Sequence, residues 1–315
     1  MRILLTGAAG FIGSNLSDHL LKYDNHVLGI DNFDSFYDRS IKEINIKNAL
    51  NSENFVLKEG DIRDRNFIER MITEFKPQLV VHLAAKAGVR PSLENPHEYY
   101  DVNVMGTLTL LEAMRKNNIT KMIFASSSSV YGNNVKLPFS EADNVDYPIS
   151  PYAATKKAGE LLCHTYHHLY NFDIFCLRFF TVYGRRQRPD LAIHKFTKAI
   201  LGNEQISLFG DGTSRRDYTY IDDIIQGISK AIAHLKGFEV FNLGESQTTT
   251  LSQLISIIEN HTKIKARLNY LPMQEGDVLQ TYADISKAKE ILGYNPTTDI
   301  EAGLKNYILG FINQQ

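Results

Sequence analysis

Two kinds of apolar pattern alternate along the first 180 residues of the chain. Short continuous apolar runs that end at turn residues predict buried strands at 2–6, 26–30, 55–58, 79–83, 121–125 and 173–178. Between them, apolar residues repeat at helical spacing over 11–21, over 102–114, and in a segment that carries Lys156 and continues to about Tyr170. Strands that alternate with helices predict a parallel sheet with both faces covered. We therefore expect an α/β fold with a doubly wound parallel sheet.

The pattern changes after Thr181. Loops become richer in Gly, Arg and Asp, as in 184–190 and 210–213, and the elements become shorter. We predict a first domain over 1–180, with returning segments near 215–243, and a smaller C-terminal α/β substrate-binding lobe over 181–315. Within the returning segments, Val240–Leu243 is expected to rejoin the edge of the main sheet.

Composition excludes several classes of function. Of the 315 residues, 43% are apolar and 22% are charged, and the net charge is −2. Neither a basic patch for nucleic acid nor an apolar run long enough for a membrane span is evident. Cys163 and Cys176 lack metal-site spacing, so we predict no metal site and expect free thiols in a cytoplasmic protein.

The chain begins with a strand that runs directly into Gly7-Ala8-Ala9-Gly10-Phe11-Ile12-Gly13. Gly7 permits a tight turn, Gly10 lets the backbone approach a pyrophosphate, and Gly13 allows close packing of the helix that follows. Asp31 ends the next strand, where a carboxylate accepts from a ribose 2′-hydroxyl and repels a 2′-phosphate. The loop therefore predicts a Rossmann-type domain that binds NAD rather than NADP.

A second acidic position, Asp61, has two interpretations. Its carboxylate is placed to accept from the adenine amino group, with Ile62 packing nearby. A plain turn aspartate explains the same residue equally well.

Tyr152 and Lys156 are four residues apart on a predicted helix and therefore share one face. A lysine ammonium beside the phenol is expected to lower the pKa of Tyr152, which ordinarily lies near about 10. Ser127, in the run Ser126 to Ser129, is the candidate hydroxyl that holds the substrate oxygen. With a nucleotide-binding loop upstream, these residues predict acid–base chemistry at an alcohol carbon.

Arginines form two further clusters, at 185–188 and at 215–216. Guanidinium groups match phosphate and carboxylate geometry, so these clusters predict anion recognition. Arg216 is the stronger candidate of the second pair, because solvent exposure is sufficient to explain Arg215.

Together these motifs resemble the extended short-chain dehydrogenase/reductase family, and within it the nucleotide-sugar 4-epimerases. The likeness covers nearly the whole chain. Its motifs are Gly7 to Gly13, His82-Leu83-Ala84-Ala85, Asn103, Ser126 to Gly132, Tyr152-x-x-x-Lys156, Arg178 to Gly184, Arg216 to Asp223 and Gly276-Asp277-Val278.

The resemblance implies a reaction without net redox change. NAD stays bound, Tyr152 removes the proton from the sugar 4-hydroxyl, and a flat 4-keto sugar turns over before it is reduced on its other face. Ser127 orients the 4-oxygen and Lys156 holds the nicotinamide ribose. The further residues expected at the cofactor are Phe11, Ile12, Asn32, Asp61, Ile62, Leu83, Ala84, Ala85, Lys86 and Asn103.

Two differences between this chain and other members of the family bear on its reaction and its substrate. Dehydratases and decarboxylases of the family carry an acidic residue where this chain has Ser128 and Ser129, which favours simple epimerisation. Gln274-Glu275-Gly276-Asp277 is more similar to UDP-glucuronate 4-epimerases than to bacterial UDP-glucose 4-epimerases. The expected substrate-binding residues are Arg90, Ser128, Ser129, Thr181, Arg188, Leu191, Phe209, Arg216 and Asp277.

Several alternatives stay open at this point. The hydroxyls of Ser129 and Thr181 suit a neutral C6 hydroxymethyl group as well as a carboxylate, so UDP-glucose and UDP-N-acetylglucosamine are rival substrates. A net dehydrogenase or reductase and a non-catalytic NAD-binding sensor are rival functions. The resemblance also implies a homodimer, paired through helices near 97–116 and 151–169.

Overall fold

The computed structural model describes residues 1–272 and 278–313. Its first half contains strands β1 (Arg2–Thr6), β2 (His26–Asp31), β3 (Phe55–Glu59), β4 (Leu79–His82), β5 (Lys121–Ser127) and β6 (Asp173–Phe179). The helices between them are α1 (Phe11–Leu21), α2 (Arg39–Leu50), α3 (Arg65–Phe75), α4 (Val89–Glu94), α5 (Pro96–Tyr100), α6 (Gly106–Lys116) and α7 (Pro151–Tyr170). A π-helical turn over Asp101–Met105 precedes α6, and a 3₁₀ turn over Ser128–Tyr131 follows β5.

The second half has shorter strands. They are β7 (Thr181–Tyr183), β8 (Gln205–Phe209), β9 (Arg215–Arg216), β10 (Tyr218–Tyr220), β11 (Phe238–Leu243), β12 (Thr249–Thr250) and β13 (Arg267–Leu271). The helices are α8 (Ala192–Leu201), α9 (Ile221–His234), α10 (Leu251–Thr262) and α11 (Ile300–Ile312), with a π-helical turn over Ala288–Leu292. Three pairs of these strands, β7–β10, β9–β12 and β8–β13, form small sheets of their own.

The main sheet has the strand order β11-β6-β5-β4-β1-β2-β3 among the described residues, and all its pairs are parallel. This confirms the doubly wound parallel sheet. The order reverses between β1 and β4, and in such sheets a crevice opens beyond the carboxyl ends of the strands at the reversal. The loops that carry the predicted cofactor residues begin at this crevice.

β11 extends the sheet at its edge. It pairs with β6 along its whole length, from Phe238 opposite Ile174 to Leu243 opposite Phe179. A strand from the second half therefore completes the sheet of the first half. The division of the chain near residue 180 stays a prediction.

Burial on both faces explains the continuous apolar strands. Ile3 and Leu5 belong to one core cluster, and Leu4 belongs to the other. Successive side chains of a strand point to opposite faces, so a strand between two helical layers needs apolar residues at every position. All three residues are fully buried.

A buried ion pair joins α7 to the sheet. Arg178 on β6 donates from Nε and Nη2 to the two carboxylate oxygens of Glu160, each at 2.8 Å. The Ser126 hydroxyl donates to Glu160 Oε1 at 2.6 Å, and Arg178 Nη1 donates to the Tyr131 hydroxyl at 3.0 Å. Since Glu160 lies on α7 and Ser126 on β5, this network sets the position of α7 against two strand ends.

Neither a membrane span nor a metal cluster is found in residues 1–272 and 278–313. None of the helices in these ranges is both long and apolar enough to cross a membrane. In the same ranges, no group of three or more His, Cys, Asp or Glu side chains is arranged to hold a metal ion. Cys163 and Cys176 are free and buried, and both pack as apolar side chains in the core.

Candidate active site

One cavity of about 410 Å³ lies at the carboxyl ends of the main-sheet strands. The segments that follow β1, β2, β4, β5 and β6 all contribute to its wall, so it brings together groups that are far apart in sequence. The predicted site residues that line it are Gly7, Gly10, Phe11, Ile12, Gly13, Asp31, Asn32, Ile62, Leu83, Ala84, Ala85, Lys86, Ser127, Ser129, Tyr152, Lys156, Thr181, Arg188 and Leu191.

The glycine loop presents bare backbone to this cavity. Gly7 has φ +71°, and a Cβ at this position would lie 2.8 Å from the Ala84 nitrogen. A Cβ at Gly13 would lie 2.0 Å from the Gly7 carbonyl oxygen, so the helix packs against the loop only with glycine there. Gly10 caps α1 without a side-chain hydrogen bond, and the first turn has no acidic residue. The helix N-terminus therefore suits a pyrophosphate, and the loop fits a dinucleotide.

Asp31 lies at the end of β2 with only 7% of its surface exposed. Its carboxylate accepts from the backbone N–H of Ala9 at 3.0 Å and of Phe33 at 2.9 Å. Burial raises the pKa of Asp31, and the ammonium of Lys42, 4.0 Å away, acts in the opposite direction. A carboxylate fixed in this way still has lone pairs for ribose hydroxyls and repels a 2′-phosphate, so the residues present fit NAD.

Asp61 is held by neighbouring protein groups. Its two oxygens accept from Nε and Nη2 of Arg63 at 2.9 and 2.8 Å, and Oδ2 also accepts from Asn32 at 3.0 Å. The Arg63 guanidinium lowers the pKa of Asp61 to about 2. Gly60 and Ile62 line the cavity on either side of it. The carboxylate therefore orders this turn, and its contact with the adenine amino group stays a prediction.

Asn103 also contacts the protein rather than the cavity. Its Oδ1 accepts from the Lys86 N–H at 2.8 Å, and its Nδ2 donates to the Lys86 carbonyl and to the Thr155 hydroxyl, each at 3.0 Å. The residue is buried and is not among the described lining residues. Its amide therefore fixes the loop after β4, and Thr155, which the sequence analysis missed, connects this loop to α7.

Lys86 joins three segments beside the cavity. Its ammonium lies 2.9 Å from Asp34 Oδ2 and 2.8 Å from Glu98 Oε1. Asp34 follows β2, Lys86 follows β4 and Glu98 lies on α5. Asp34 and Lys86 both line the cavity, so this pair spans the cofactor side of the crevice. Lys86 is a predicted cofactor residue, but its two carboxylate partners were not predicted.

His82, which was named only as part of a family motif, is buried and has two hydroxyl partners that were not predicted. His82 Nδ1 is 2.7 Å from the Thr6 hydroxyl, and Nε2 is 3.0 Å from the Thr107 hydroxyl. Thr107 donates its own proton to the Asn103 carbonyl, so it accepts from His82 and the proton of the ring is on Nε2. Burial lowers the pKa of His82 to about 3, which keeps the ring neutral. A polar residue at the end of an otherwise apolar strand was the available signal.

The predicted catalytic residues meet at one wall of the cavity. Ser150 caps α7 by accepting from the Ala153 N–H at 3.1 Å, which starts the helix so that Tyr152 and Lys156 are one turn apart. The Lys156 ammonium is buried and donates to the Ala125 carbonyl at 2.8 Å. Burial lowers the pKa of Lys156 to about 8.

The predicted effect of Lys156 on Tyr152 was wrong for this structure. Burial raises the pKa of Tyr152, and the groups that oppose it are a hydrogen bond with Ser127 and the charge of Arg188. The physical reason is the direction of the Lys156 ammonium, which is held on the Ala125 carbonyl. Tyr152 therefore depends on Ser127 and Arg188 for stabilisation of its phenolate.

The hydroxyl and guanidinium groups near Tyr152 are ordered by their own contacts. Ser127 donates to the Ser129 hydroxyl at 3.2 Å and accepts from the Ser129 N–H at 3.2 Å. Arg188 donates from Nε and Nη2 to the two oxygens of Asp190 at 2.9 and 2.8 Å. Thr181 lies just after the end of β6, where β7 begins, and completes this polar wall.

Several predicted substrate residues lie away from the described cavity wall. Ser128, Arg90, Phe209 and Arg216 are not among its lining residues. The Arg90 guanidinium lies 5.0 Å from the centre of the Phe209 ring, and Arg216 Nη1 donates to two backbone carbonyls. Asp277 and Glu275 lie outside the described residues. The binding roles of these positions stay predictions.

Comparisons with known proteins extend over the whole chain. The family model described as GDP-mannose 4,6 dehydratase matches residues 4–307. A UDP-glucuronate 4-epimerase from Thermodesulfobacterium geofontis is 46% identical over 308 residues, which are 97% of this chain and 94% of that protein.

Solved structures also match this chain over its whole length. UDP-glucuronic acid 4-epimerase from Bacillus cereus, crystallised with UDP-glucuronic acid and NAD, is 40% identical with a TM-score of 0.94, covering 100% of this chain and 99% of that one. UDP-glucose 4-epimerase from Thermotoga maritima, crystallised with UDP-glucose, is 35% identical with a TM-score of 0.92 and the same coverage. The similarity thus includes the second half of the chain and is not confined to the dinucleotide-binding sheet.

Proposed function

Because the chain belongs to the extended short-chain dehydrogenase/reductase family, we propose that it is an NAD-dependent UDP-sugar 4-epimerase with UDP-glucuronate as its substrate. The observation that carries the proposal is the meeting of Ser127, Tyr152 and Lys156 with the glycine loop and Asp31 at one cavity.

Inversion at C4 requires that a proton leave the 4-hydroxyl and return to it. Tyr152 as phenolate accepts this proton, and the Ser127 hydroxyl donates a hydrogen bond to the same oxygen. Bound NAD would supply the hydride acceptor for C4 and the hydride that returns to it, so the reaction would need no external oxidant. Lys156 would hold the nicotinamide ribose, and Asp31 the adenosine ribose.

The positions of the acidic groups in the cavity favour epimerisation over dehydration, because they are not next to Tyr152. Among the described residues, the carboxylates that line the cavity are Asp31 and Asp34, and both belong to the segment at the end of β2. Around Tyr152 the polar lining groups include the hydroxyls of Ser127, Ser129 and Thr181. Elimination of water from the sugar needs a carboxyl acid or base next to the reacting carbons, which these hydroxyls do not replace.

Three groups on the same wall support a substrate with a carboxylate at C6. Ser129 and Thr181 offer hydroxyl donors, and Arg188 offers a guanidinium that matches a carboxylate in charge and geometry. The relatives from T. geofontis and B. cereus carry the name UDP-glucuronate or UDP-glucuronic acid 4-epimerase. A neutral hydroxymethyl group at C6 would use the hydroxyls and leave the guanidinium without a charged partner from the sugar.

The test compares three substrates. Purified protein is incubated separately with UDP-glucuronate, UDP-glucose and UDP-N-acetylglucosamine, and the ratio of C4 epimers is followed by proton NMR. We expect the highest kcat/KM with UDP-glucuronate and no accumulation of NADH. Failure to form an epimer from any of the three would refute the epimerase, and faster turnover of UDP-glucose would refute the substrate.

The predicted homodimer is part of the proposal. Leu161 and Leu169 on α7 are 56% and 58% exposed, and Tyr100 at the end of α5 is 46% exposed. A second copy of the chain would cover these apolar side chains. Light scattering after size exclusion is expected to give the mass of two chains, and Leu161→Glu to reduce it. Leu309→Glu on α11, where the leucine is 53% exposed, is the matched control that should leave the mass unchanged.

A further inference from the structure

We propose that Asp190 is a positioning residue that fixes the guanidinium of Arg188 and thereby sets the preference for a C6 carboxylate. This inference rests on the proposed function. It assigns to Asp190 a part in the reaction even though Asp190 is not among the described residues that line the cavity, whereas Arg188 is.

The geometry of the pair leaves one edge of Arg188 available. Asp190 accepts a bidentate pair of hydrogen bonds, from Arg188 Nε to Oδ1 at 2.9 Å and from Nη2 to Oδ2 at 2.8 Å. The edge formed by Nη1 and the second Nη2 proton is chemically equivalent in its ability to take a second carboxylate. One carboxylate of the protein can therefore hold the group while a carboxylate of the ligand binds its other edge.

The plane of the guanidinium is fixed by a second contact. Arg188 Cζ lies 5.3 Å from the centre of the Phe36 ring, and Phe36 itself lines the cavity. The Arg188 side chain is only 18% exposed, so little space is left for other rotamers. Asp190 restrains rotation within the plane, and Phe36 restrains the plane itself.

The orientation of Arg188 also affects proton transfer at Tyr152. Its charge lowers the pKa of Tyr152, second in effect to the Ser127 hydrogen bond. Two further titratable groups near Tyr152 are Lys156, on the next turn of α7, and Tyr99 of α5, whose ring centre lies 6.2 Å from that of Tyr152. If Arg188 swings away, Tyr152 loses the cationic support of the guanidinium, and its pKa rises.

The two possible roles of Asp190 predict opposite changes in the pKa of Tyr152 when Asp190 is neutralised. A residue that positions Arg188 would, when neutralised, release the guanidinium and raise the pKa of Tyr152. A residue that acts only as a nearby negative charge would, when neutralised, lower the pKa of Tyr152. The pH profile of kcat therefore separates positioning from a plain charge effect.

The experiment compares Asp190→Asn with the wild type on UDP-glucuronate and UDP-glucose. We expect KM for UDP-glucuronate to rise about tenfold while KM for UDP-glucose changes less than about twofold. The acid limb of the kcat profile is expected to move to higher pH. Asp190→Glu, which keeps the carboxylate, should restore part of the preference for UDP-glucuronate.

Asp18→Asn is the matched control. Asp18 accepts from Arg186 Nη2 at 2.7 Å, and both side chains are about as buried as those of the Arg188 pair, but neither is among the described residues that line the cavity. Its kinetics should equal those of the wild type. A lower KM for UDP-glucuronate in Asp190→Asn, an equal change for both substrates, or an acid limb that moves to lower pH would overturn the inference. A wild type that does not turn over UDP-glucuronate would instead refute the proposed substrate.

Discussion

At the phenol of Tyr152, burial and polar contacts act in opposite directions. Burial disfavours the phenolate, whereas the Ser127 hydroxyl and the Arg188 charge favour it. Since the net result is a raised pKa, proton transfer to Tyr152 requires that these two groups stay in place. The general base is therefore Tyr152 acting together with Ser127 and Arg188, and Tyr152 is the member that accepts the proton.

Replacement of Tyr152 by Phe removes the proton acceptor and keeps the ring. We expect kcat for epimerisation to fall by about 10²- to 10⁴-fold while the Kd for UDP-glucuronate changes little. NMR of the epimer ratio and calorimetric titration measure the two quantities. Tyr147→Phe, at a position that is 80% exposed, is the control and should behave as the wild type. Unchanged turnover in Tyr152→Phe would contradict the catalytic assignment.

Sequence reasoning found the residues of the site more readily than their contacts. The spacing of Tyr152 and Lys156 predicts a shared helix face, which the structure has. It does not predict that the ammonium would donate to the Ala125 carbonyl, because that acceptor comes from a strand distant in sequence. Asn103 is a similar case, since its partners Lys86 and Thr155 meet only in the folded chain.

Among the elements, α7 carries the catalytic pair, and its place depends on the buried contact between Glu160 and Arg178. Both side chains are less than 5% exposed, and each satisfies the charge of the other. An ion pair of this kind contributes little net stability compared with apolar residues, but removal of one member leaves a buried charge without compensation. The position of the helix is therefore sensitive to either residue.

Glu160→Gln is expected to lower the free energy of unfolding by about 3 kcal/mol, because the Arg178 guanidinium loses its charged partner. Urea denaturation at equilibrium measures the change. The double change Glu160→Leu with Arg178→Met should recover most of it, since no buried charge remains. Glu204→Gln, at an exposed position, is the control. Equal stability of Glu160→Gln and the control would show that the pair is not required.

The loops after β2 and β4 are joined through Asp34 and Lys86, and the cofactor lies between these loops in the proposed complex. Asp34→Asn weakens the ion pair, so we expect bound NAD to dissociate about tenfold faster. Retention of NAD after gel filtration and the rate of its exchange are the measurements. Glu43→Gln, which removes an exposed partner of Arg39, should leave the exchange rate unchanged. Equal exchange rates in the two variants would refute a role for the ion pair.

Apolar patterning predicted the ends of the main-sheet strands and of α1 to within two residues. It missed α2, because polar and charged residues occupy most of that helix and interrupt the apolar repeat, with Ile46 and Ala49 among its few buried apolar residues. The π-helical turn before α6 was also missed, because helical spacing does not distinguish it from an α-helix. Two-residue strands such as β9 and β12 are too short for any periodic signal.

At the scale of the whole molecule, a buried carboxylate joins three segments of the second half of the chain. Asp217 is fully buried and accepts from the backbone N–H groups of Glu245 at 2.8 Å, and of Ser246 and Ala283 at 3.1 Å. Burial raises its pKa to about 6 in spite of these bonds. Glu245 lies next to it, and burial followed by the charges of Asp223 and Asp217 raises the pKa of Glu245 to about 8.

The raised pKa of Glu245 determines how folding stability changes with pH. A carboxyl whose pKa is raised in the folded state holds a proton that the unfolded chain has already released. Folding stability therefore falls as pH rises from the ordinary pKa of Glu245, near 4.5, to its folded value of about 8. Above that pH, the penalty of the ionised carboxylate is complete.

Glu245→Gln removes this penalty and keeps the shape of the side chain. We expect its Tm to exceed that of the wild type by about 2 °C at pH 8 and to equal it near pH 5, because there the wild-type carboxyl is protonated in the fold. Thermal unfolding at both pH values is the measurement, and Glu204→Gln controls for the loss of one negative charge. A difference that is the same at both pH values would mean that Glu245 ionises in the folded state as it does in water. In that case neither burial nor the charges of Asp223 and Asp217 would raise the pKa of Glu245, and this carboxyl would not make stability depend on pH above its ordinary pKa.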